Sequence, residues 1–92
     1  MLEPIVLRTF LAVAETRSFT QAAERLGLRQ STVSQHIREL EQEAGRRLFV
    51  RDTHSVIMTA DGEAMIEFAR NILAAKQRAE SHFSASPSLR RA

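Results

Sequence analysis

The 92-residue sequence contains no cysteine, which excludes disulfides and thiol chemistry and makes the cytoplasm the natural compartment. No apolar stretch approaches the ~20 residues needed to span a bilayer. Nor does the start resemble a signal peptide, because Glu3 and Pro4 come at once and no small-residue cleavage site follows a long apolar run. Metal-ligand spacing is missing too: His36, His54 and His82 stand apart. With no Gly-rich phosphate loop and no nucleophile arrangement, the pattern speaks against an enzyme, a metal site or a bound cofactor. A large charge of either sign is also lacking. The formal net charge is +2, with 8 Arg against 7 acids in residues 1–60 and 5 basic against 4 acidic residues in 61–92. A nucleic-acid partner would therefore need the cations gathered on one face, since the total does not supply the attraction. Lys76 is the only lysine and every other cation is Arg. Arg makes forked contacts to phosphate or guanine, and a GC-rich genome produces the same bias.

What is present is ordinary globular composition, 43% hydrophobic and 26% charged, in a single domain small enough to gain from burial against a partner. Pro4 suits a first helical turn, and Val6, Leu7, Phe10, Leu11 and Ala14 recur at helical spacing, so a first helix is expected over 4–16. Ser18-Phe19-Thr20-Gln21 has the form of a capping box that opens a short second helix through Leu26. Ala22 and Ala23 there allow close helix approach, and Gly27 serves as a left-handed cap. After the turn Leu28-Arg29-Gln30, a third helix is expected to run to about Glu43. Its apolar stripe is narrow (Val33, Ile37, Leu40), and Gly45 stops it. Its remaining surface carries Gln30, Ser31, Thr32, Ser34, Gln35, His36, Arg38 and Glu39.

Arg47–Arg51 and Val56–Thr59 read as two short strands joined by the polar loop Asp52-Thr53-His54-Ser55, a hairpin that needs helices to pack on. Thr59 can cap a final helix with Asp61 and Glu63 in its first turn, running to about Phe83. Within it Met65, Phe68, Ile72, Ala75, Ala79 and His82 follow a 3-4-3-4-3 rhythm close to that of a coiled coil, and Ile66, Ala69 and Leu73 form a second apolar line beside it. One line can meet the domain's own core while the other meets a partner. Alternatively, the first line covers the first and third helices of its own chain. From Ser84 onwards the Ser- and Pro-containing stretch ending Arg90-Arg91 reads as a tail or linker.

A short helix, a Gly-bearing turn and a second helix with one thin buried stripe and a polar face suit the major groove of B-DNA, which admits one α-helix and distinguishes all four base pairs. Gln30, Ser31, Ser34 and Gln35 lie near the N-terminal end of the third helix, where base edges would be read, and Gln is suited to adenine. Ser18 and Thr20 at the start of the second helix, with Arg51 and His54 of the wing, are placed for phosphate or minor-groove contact. The bland readings stand beside these: an Ala-Ala pair as packing, a Gly as a cap, a polar face as solvated surface. The rival from another class is a protein-interaction or dimerisation module whose purpose is the final helix.

Ser18-Phe19-Thr20-Gln21-Ala22-Ala23-Glu24-Arg25-Leu26, followed by Gln30, Val33-Ser34, Ile37, Leu40-Glu41, Gly45, Leu48-Phe49, Arg51, Thr59 and Gly62, resembles the signature of the LysR-type transcription regulators over roughly residues 5–75. The resemblance implies a mainly α fold: a winged helix-turn-helix of three helices plus a two-stranded β wing, then a long linker helix that pairs with its copy in a dimer. It further implies a bacterial, cytoplasmic regulator, dimeric or tetrameric at full length, that reads an operator in double-stranded DNA. A separate C-terminal domain would bind a small-molecule effector, and no membrane is involved. Carried over by position, Gln30, Ser31, Ser34 and Gln35 fall where the family reads bases. Ser18, Thr20, Thr32, Arg38, Arg51 and His54 fall at or near backbone contacts, and Met65, Phe68, Ile72, Ala75 and Ala79 on the dimerisation helix. The expected organisation is a DNA-binding domain over 1–59 (helix-turn-helix 19–38, wing 47–59), a linker helix over 60–84, and a tail over 85–92 leading to an effector domain outside these residues. A stand-alone repressor is the alternative. Two features depart from the family pattern. Arg29 and Ser31 stand where a small polar cap and a Pro are common, so Ser31 itself is a candidate cap. Asp52 and His54 stand where Arg is common, so the wing is less basic than in many members.

Overall fold

The computed structural model describes residues 2–52 and 55–84. Four helices and one hairpin follow in order: α1 (Pro4–Thr16), α2 (Phe19–Leu26), α3 (Gln30–Ala44), β1 (Phe49–Arg51), β2 (Val56–Met58) and α4 (Ala60–Ser84). α1 is the hub, packed against α2, α3 and α4. Its face Val6, Leu7, Phe10 and Val13 is buried, together with Ala22 and Ala23 of α2 and Val33, Ile37 and Leu40 of α3. The small alanines let α2 lie close to its neighbours. α1 ends on Arg17 in the left-handed region (φ 54°), whose N–H donates to the Val13 carbonyl, a conformation that costs a non-glycine residue energy. The chain is held there by Thr16, whose hydroxyl meets the carbonyls of Ala12 (2.7 Å) and Ser18 (3.0 Å).

The caps explain where the helices stop. The Ser18 side chain accepts from the Gln21 N–H at 3.0 Å, as the capping-box pattern predicts. The box is not reciprocal, because the Ser18 N–H donates to Thr16 Oγ1 (3.2 Å), leaving nothing for the Gln21 side chain to return to. Gly27 and Gly45 close α2 and α3 with φ of 67° and 68°. α3 departs from the expectation of Ser31 as its cap: Arg29 holds the cap position without a side-chain bond, and its carbonyl accepts from the Thr32 and Val33 amides. Ser31 lies inside the first turn.

α1 and α3 share one buried polar tie. Thr9 is fully buried, its hydroxyl donates to the Ile5 carbonyl (2.8 Å), and it lies 2.9 Å from His36 Nδ1. With the hydroxyl proton used on Ile5, Nδ1–H of His36 is the donor in the second bond. His36 is thus a structural strut between helices.

β1 and β2 are antiparallel, pairing Phe49 with Met58, Val50 with Ile57 and Arg51 with Val56. They are shorter than the sequence pattern suggests because the flanking residues have other partners. Glu41 of α3 accepts from the Leu48 and Phe49 amides at 2.8 and 3.2 Å. Thr59 donates its hydroxyl to the Arg47 carbonyl (2.6 Å) and its amide to the Leu48 carbonyl (3.1 Å), while accepting from the Gly62 N–H that starts α4. Leu48 and Phe49 are buried, and Phe49 bridges Phe10 (centroids 5.4 Å apart) and Phe19 (6.3 Å, edge-on). A two-stranded hairpin without such packing is marginal in water.

In α4, Ala69 is buried, and Ile66 and Leu73 pack on the core beside it. The heptad-like stripe divides. Met65 packs against the core, whereas Phe68 remains 61% and Ile72 36% exposed, and Ala75 and Ala79 also face outward. Beyond Met65 the stripe therefore faces away from the core and does not cover α1 and α3. No helix of the described residues is long and apolar enough to cross a membrane.

Candidate nucleic-acid interface

α3 turns Val33, Ile37 and Leu40 inward, so at 3.6 residues per turn its outermost line is Ser31, Gln35 and Arg38, all exposed. Gln42 continues that line one turn further, a polar position that reading the N-terminal half alone misses. Ser34 and Gln30 border it on one side. Gln30 is fixed from α2, since the Thr20 hydroxyl donates to its Oε1 at 3.2 Å. Gln35 is fixed within its own helix: its Nε2 donates to Glu39 Oε1 at 3.3 Å. A carboxylate only accepts, so this contact orients the amide, leaving Oε1 and one N–H of Gln35 free. Thr32 lies on the opposite flank, half-buried on the side of His36, away from the line through Arg38.

Between α3 and the wing runs a cleft lined by Phe19, Ser34, Ile37, Arg38, Glu41, Arg47, Phe49 and Arg51. Arg47 is 3.5 Å from Glu41 and donates to the Phe49 carbonyl (3.3 Å). Arg51 ends β1 with its guanidinium carbon 4.0 Å from the Phe19 ring centroid. Ser18 and Thr20 flank that ring in sequence, with Thr20 exposed. Arg38 and Arg51, neither in an ion pair among the described residues, thus meet the edge of the polar face beside Glu41, so positive charge gathers there although the chain is nearly neutral. At the hairpin tip Asp52 accepts from the Ser55 N–H (2.7 Å); His54 lies outside the described residues. Among the described residues no group of three or more His, Cys, Asp or Glu is placed to hold a metal ion.

Glu41 is the residue with a positional role that pattern reading does not assign. It is 15% exposed and uses one oxygen to hold the first amides of the wing strand. Its sequence signals are its place beside the last buried leucine of α3 and its presence in the family signature, and neither says what it holds.

This arrangement has close counterparts. Residues 6–63 match the model of the bacterial regulatory helix-turn-helix protein, lysR family. The chain belongs to the LysR family. It is 53% identical over 68 residues to the HTH-type transcriptional regulator ShiR of Corynebacterium glutamicum. That match covers 74% of this chain and 23% of ShiR. It is 47% identical over 74 residues to the transcriptional activator AllS of Salmonella typhimurium, covering 80% of this chain and 24% of AllS. The chain therefore spans about a quarter of the length of these relatives. Among solved structures, the CbnR DNA-binding domain in complex with DNA superposes with a TM-score of 0.87 at 33% identity, covering 91% of this chain and 97% of that one. The LysR-family fold, a winged helix-turn-helix with a long final helix, accordingly accounts for every described element.

Proposed function

We propose that this LysR-family domain binds double-stranded DNA sequence-specifically to regulate transcription, as a dimer on a pseudo-palindromic operator. α3 enters the major groove, and the wing lies on the backbone or in the minor groove. The single observation that carries the reading is the Ser31–Gln35–Arg38 line, fully outward on a helix held from both sides, with Arg51 and Thr20 at its margin. The CbnR domain, so similar in backbone, was solved on DNA, which supports the same use here.

Within that frame Gln30, Ser31, Ser34 and Gln35 read base edges, and Ser18, Thr20, Arg38 and Arg51 contact phosphates. Thr32 and His54 are retained as backbone candidates, Thr32 the weaker because of its flank. Residues 1–59 form the reading unit and 60–84 the dimerisation helix. Phe68 and Ile72 are the principal apolar anchors of the pair, with Ala75 and Ala79 permitting close approach and Met65 contributing its exposed part. Pairing would set two copies of α3 on half-sites about 34 Å apart and add burial to a small core. For the whole protein the proposal extends to dimers or tetramers, with a small molecule bound only through a separate C-terminal effector domain. The regulator acts in the cytoplasm on the nucleoid.

The test is fluorescence anisotropy of the chain on a duplex selected from a random-sequence library and on a scrambled duplex, across a salt series. The expected result is preference for the selected duplex and a log–log salt slope that counts several phosphate contacts. Binding without sequence preference or salt dependence would refute the reading and leave a dimerisation module.

A further inference from the structure

We infer that Phe19 is a positioning residue for DNA binding, its ring holding the Arg51 guanidinium in place before the duplex arrives; this rests on the proposed role of Arg51 at the phosphates. The ring is well suited to the task. Phe19 is only 7% exposed and lies edge-on to Phe49, which in turn packs on Phe10, so the ring is anchored through two further rings to α1. Arg51 belongs to β1, which is anchored by the same Phe49. The cation sits 4.0 Å from the ring centroid, well within the range in which an aromatic quadrupole attracts a guanidinium.

What the contact leaves free is as important as what it holds. Among the described residues no carboxylate or carbonyl accepts from the Arg51 guanidinium, whereas neighbouring Arg47 is engaged by Glu41 and the Phe49 carbonyl. A ring takes no N–H in the way a carboxylate would, so Arg51 is restrained without losing charge or donors. An unrestrained arginine gives up much rotamer freedom when it grips a phosphate; one already held gives up less, and the difference appears as affinity. The same contact joins the wing to the N-terminal end of α2. Ser18 and Thr20, the proposed phosphate contacts on either side of Phe19 in sequence, are thereby tied to the strand that carries Arg51.

The experiment measures affinity on the selected and scrambled duplexes for the unaltered chain, Phe19→Leu, Phe19→Tyr, Arg51→Ala and the Phe19→Leu/Arg51→Ala pair, with melting curves for each. Arg51→Ala is expected to weaken both duplexes and lower the salt slope by about one. Phe19→Leu should weaken both about two- to fivefold, the size of an exposed cation–π contact, while leaving the slope unchanged because the charge remains. Phe19→Tyr should restore affinity, and Phe19→Leu should add nothing once Arg51 is Ala. An equal loss from Phe19→Leu in both backgrounds, or none in either, overturns the positioning role while leaving Arg51 at the phosphates. No change from Arg51→Ala removes Arg51 from the interface and this inference with it. Should Phe19→Leu fail to fold, the unaltered chain still decides: ring-current upfield shifts of the Arg51 side-chain protons are expected, and random-coil shifts overturn the contact.

Discussion

Replacing Gly62 with alanine should destabilise the domain, although helix propensity alone predicts the opposite. Gly62 lies in the first turn of α4, where alanine is ordinarily favoured over glycine by about 1 kcal/mol. A Cβ built there stands 2.1 Å from the Leu48 carbonyl oxygen, 3.0 Å from its carbon and 3.2 Å from Met58 Cε. The oxygen is backbone and cannot rotate aside. It already accepts from the Thr59 amide, and the preceding carbonyl, that of Arg47, is held by the Thr59 hydroxyl. Relief requires α4 to move off by roughly an ångström, towards ordinary non-bonded separations. That strains the Thr59 bond, worth about 1 kcal/mol net, and loosens Ile66, Ala69 and Leu73 from the core. Overpacking of this kind costs about 1–3 kcal/mol, so with the lost bond and the propensity gain nearly cancelling, a net loss of about 2 kcal/mol is expected. For a domain of this size that lowers Tm by roughly 8–16 °C. Thermal and urea unfolding followed by circular dichroism at fixed protein concentration measures it. Gly27→Ala is the control: among the described residues no atom beyond its chain neighbours lies within 4 Å of its Cβ, so only the left-handed backbone is penalised, by about 1 kcal/mol. A Gly62→Ala domain as stable as the unaltered one would refute the close approach of α4 to Leu48.

Glu41→Ala leaves the Leu48 and Phe49 amides without their acceptor and should cost about 2–3 kcal/mol, seen as a lower urea midpoint. Stability unchanged from the parent would mean those amides find other acceptors. Ser34→Ala or Gln30→Ala should reduce discrimination between selected and scrambled duplexes while keeping non-specific binding; equal weakening on both would move the reading face elsewhere. Phe68→Ser with Ile72→Ser should shift the chain towards monomer in sedimentation equilibrium without lowering the Tm of the monomer, and persistence of the same oligomer would release those residues from the interface. Glu39→Ala removes a negative charge beside the polar face and frees the Gln35 amide. Non-specific affinity should rise while preference at the base pair met by Gln35 falls, and a fall in both would show that Glu39 does not act through that amide.

Helix positions were legible because their signals are local: the apolar spacing of α1 and α3, the serine before α2, the glycines at 27 and 45, and Thr59 ahead of α4. Arg17 gave no such signal, since it occupies a glycine-like conformation that its neighbours impose. The cap of α3 is hidden for a related reason, because backbone bonds to the Arg29 carbonyl hold its first turn where a side-chain cap is expected. Contacts between distant positions were the hidden part. Glu41 meeting the wing amides, Arg51 meeting Phe19, and Met65 turning inward while Phe68 turns outward all depend on how elements pack. Periodicity placed these residues on faces but did not say what those faces meet. The candidate site divides likewise, with the polar face of α3 visible in the pattern and the orientation of Gln30 and Gln35 set by Thr20 and Glu39.

Because one carboxylate on α3 grips the first amides of β1, the two parts that would touch a duplex cannot swing independently. On the proposed docking, the span from groove to wing would be a fixed gauge, and mismatch would fall to the nucleic acid. Operators whose intervening steps bend easily, such as TA or CA/TG, would then be preferred even at positions that no side chain reaches.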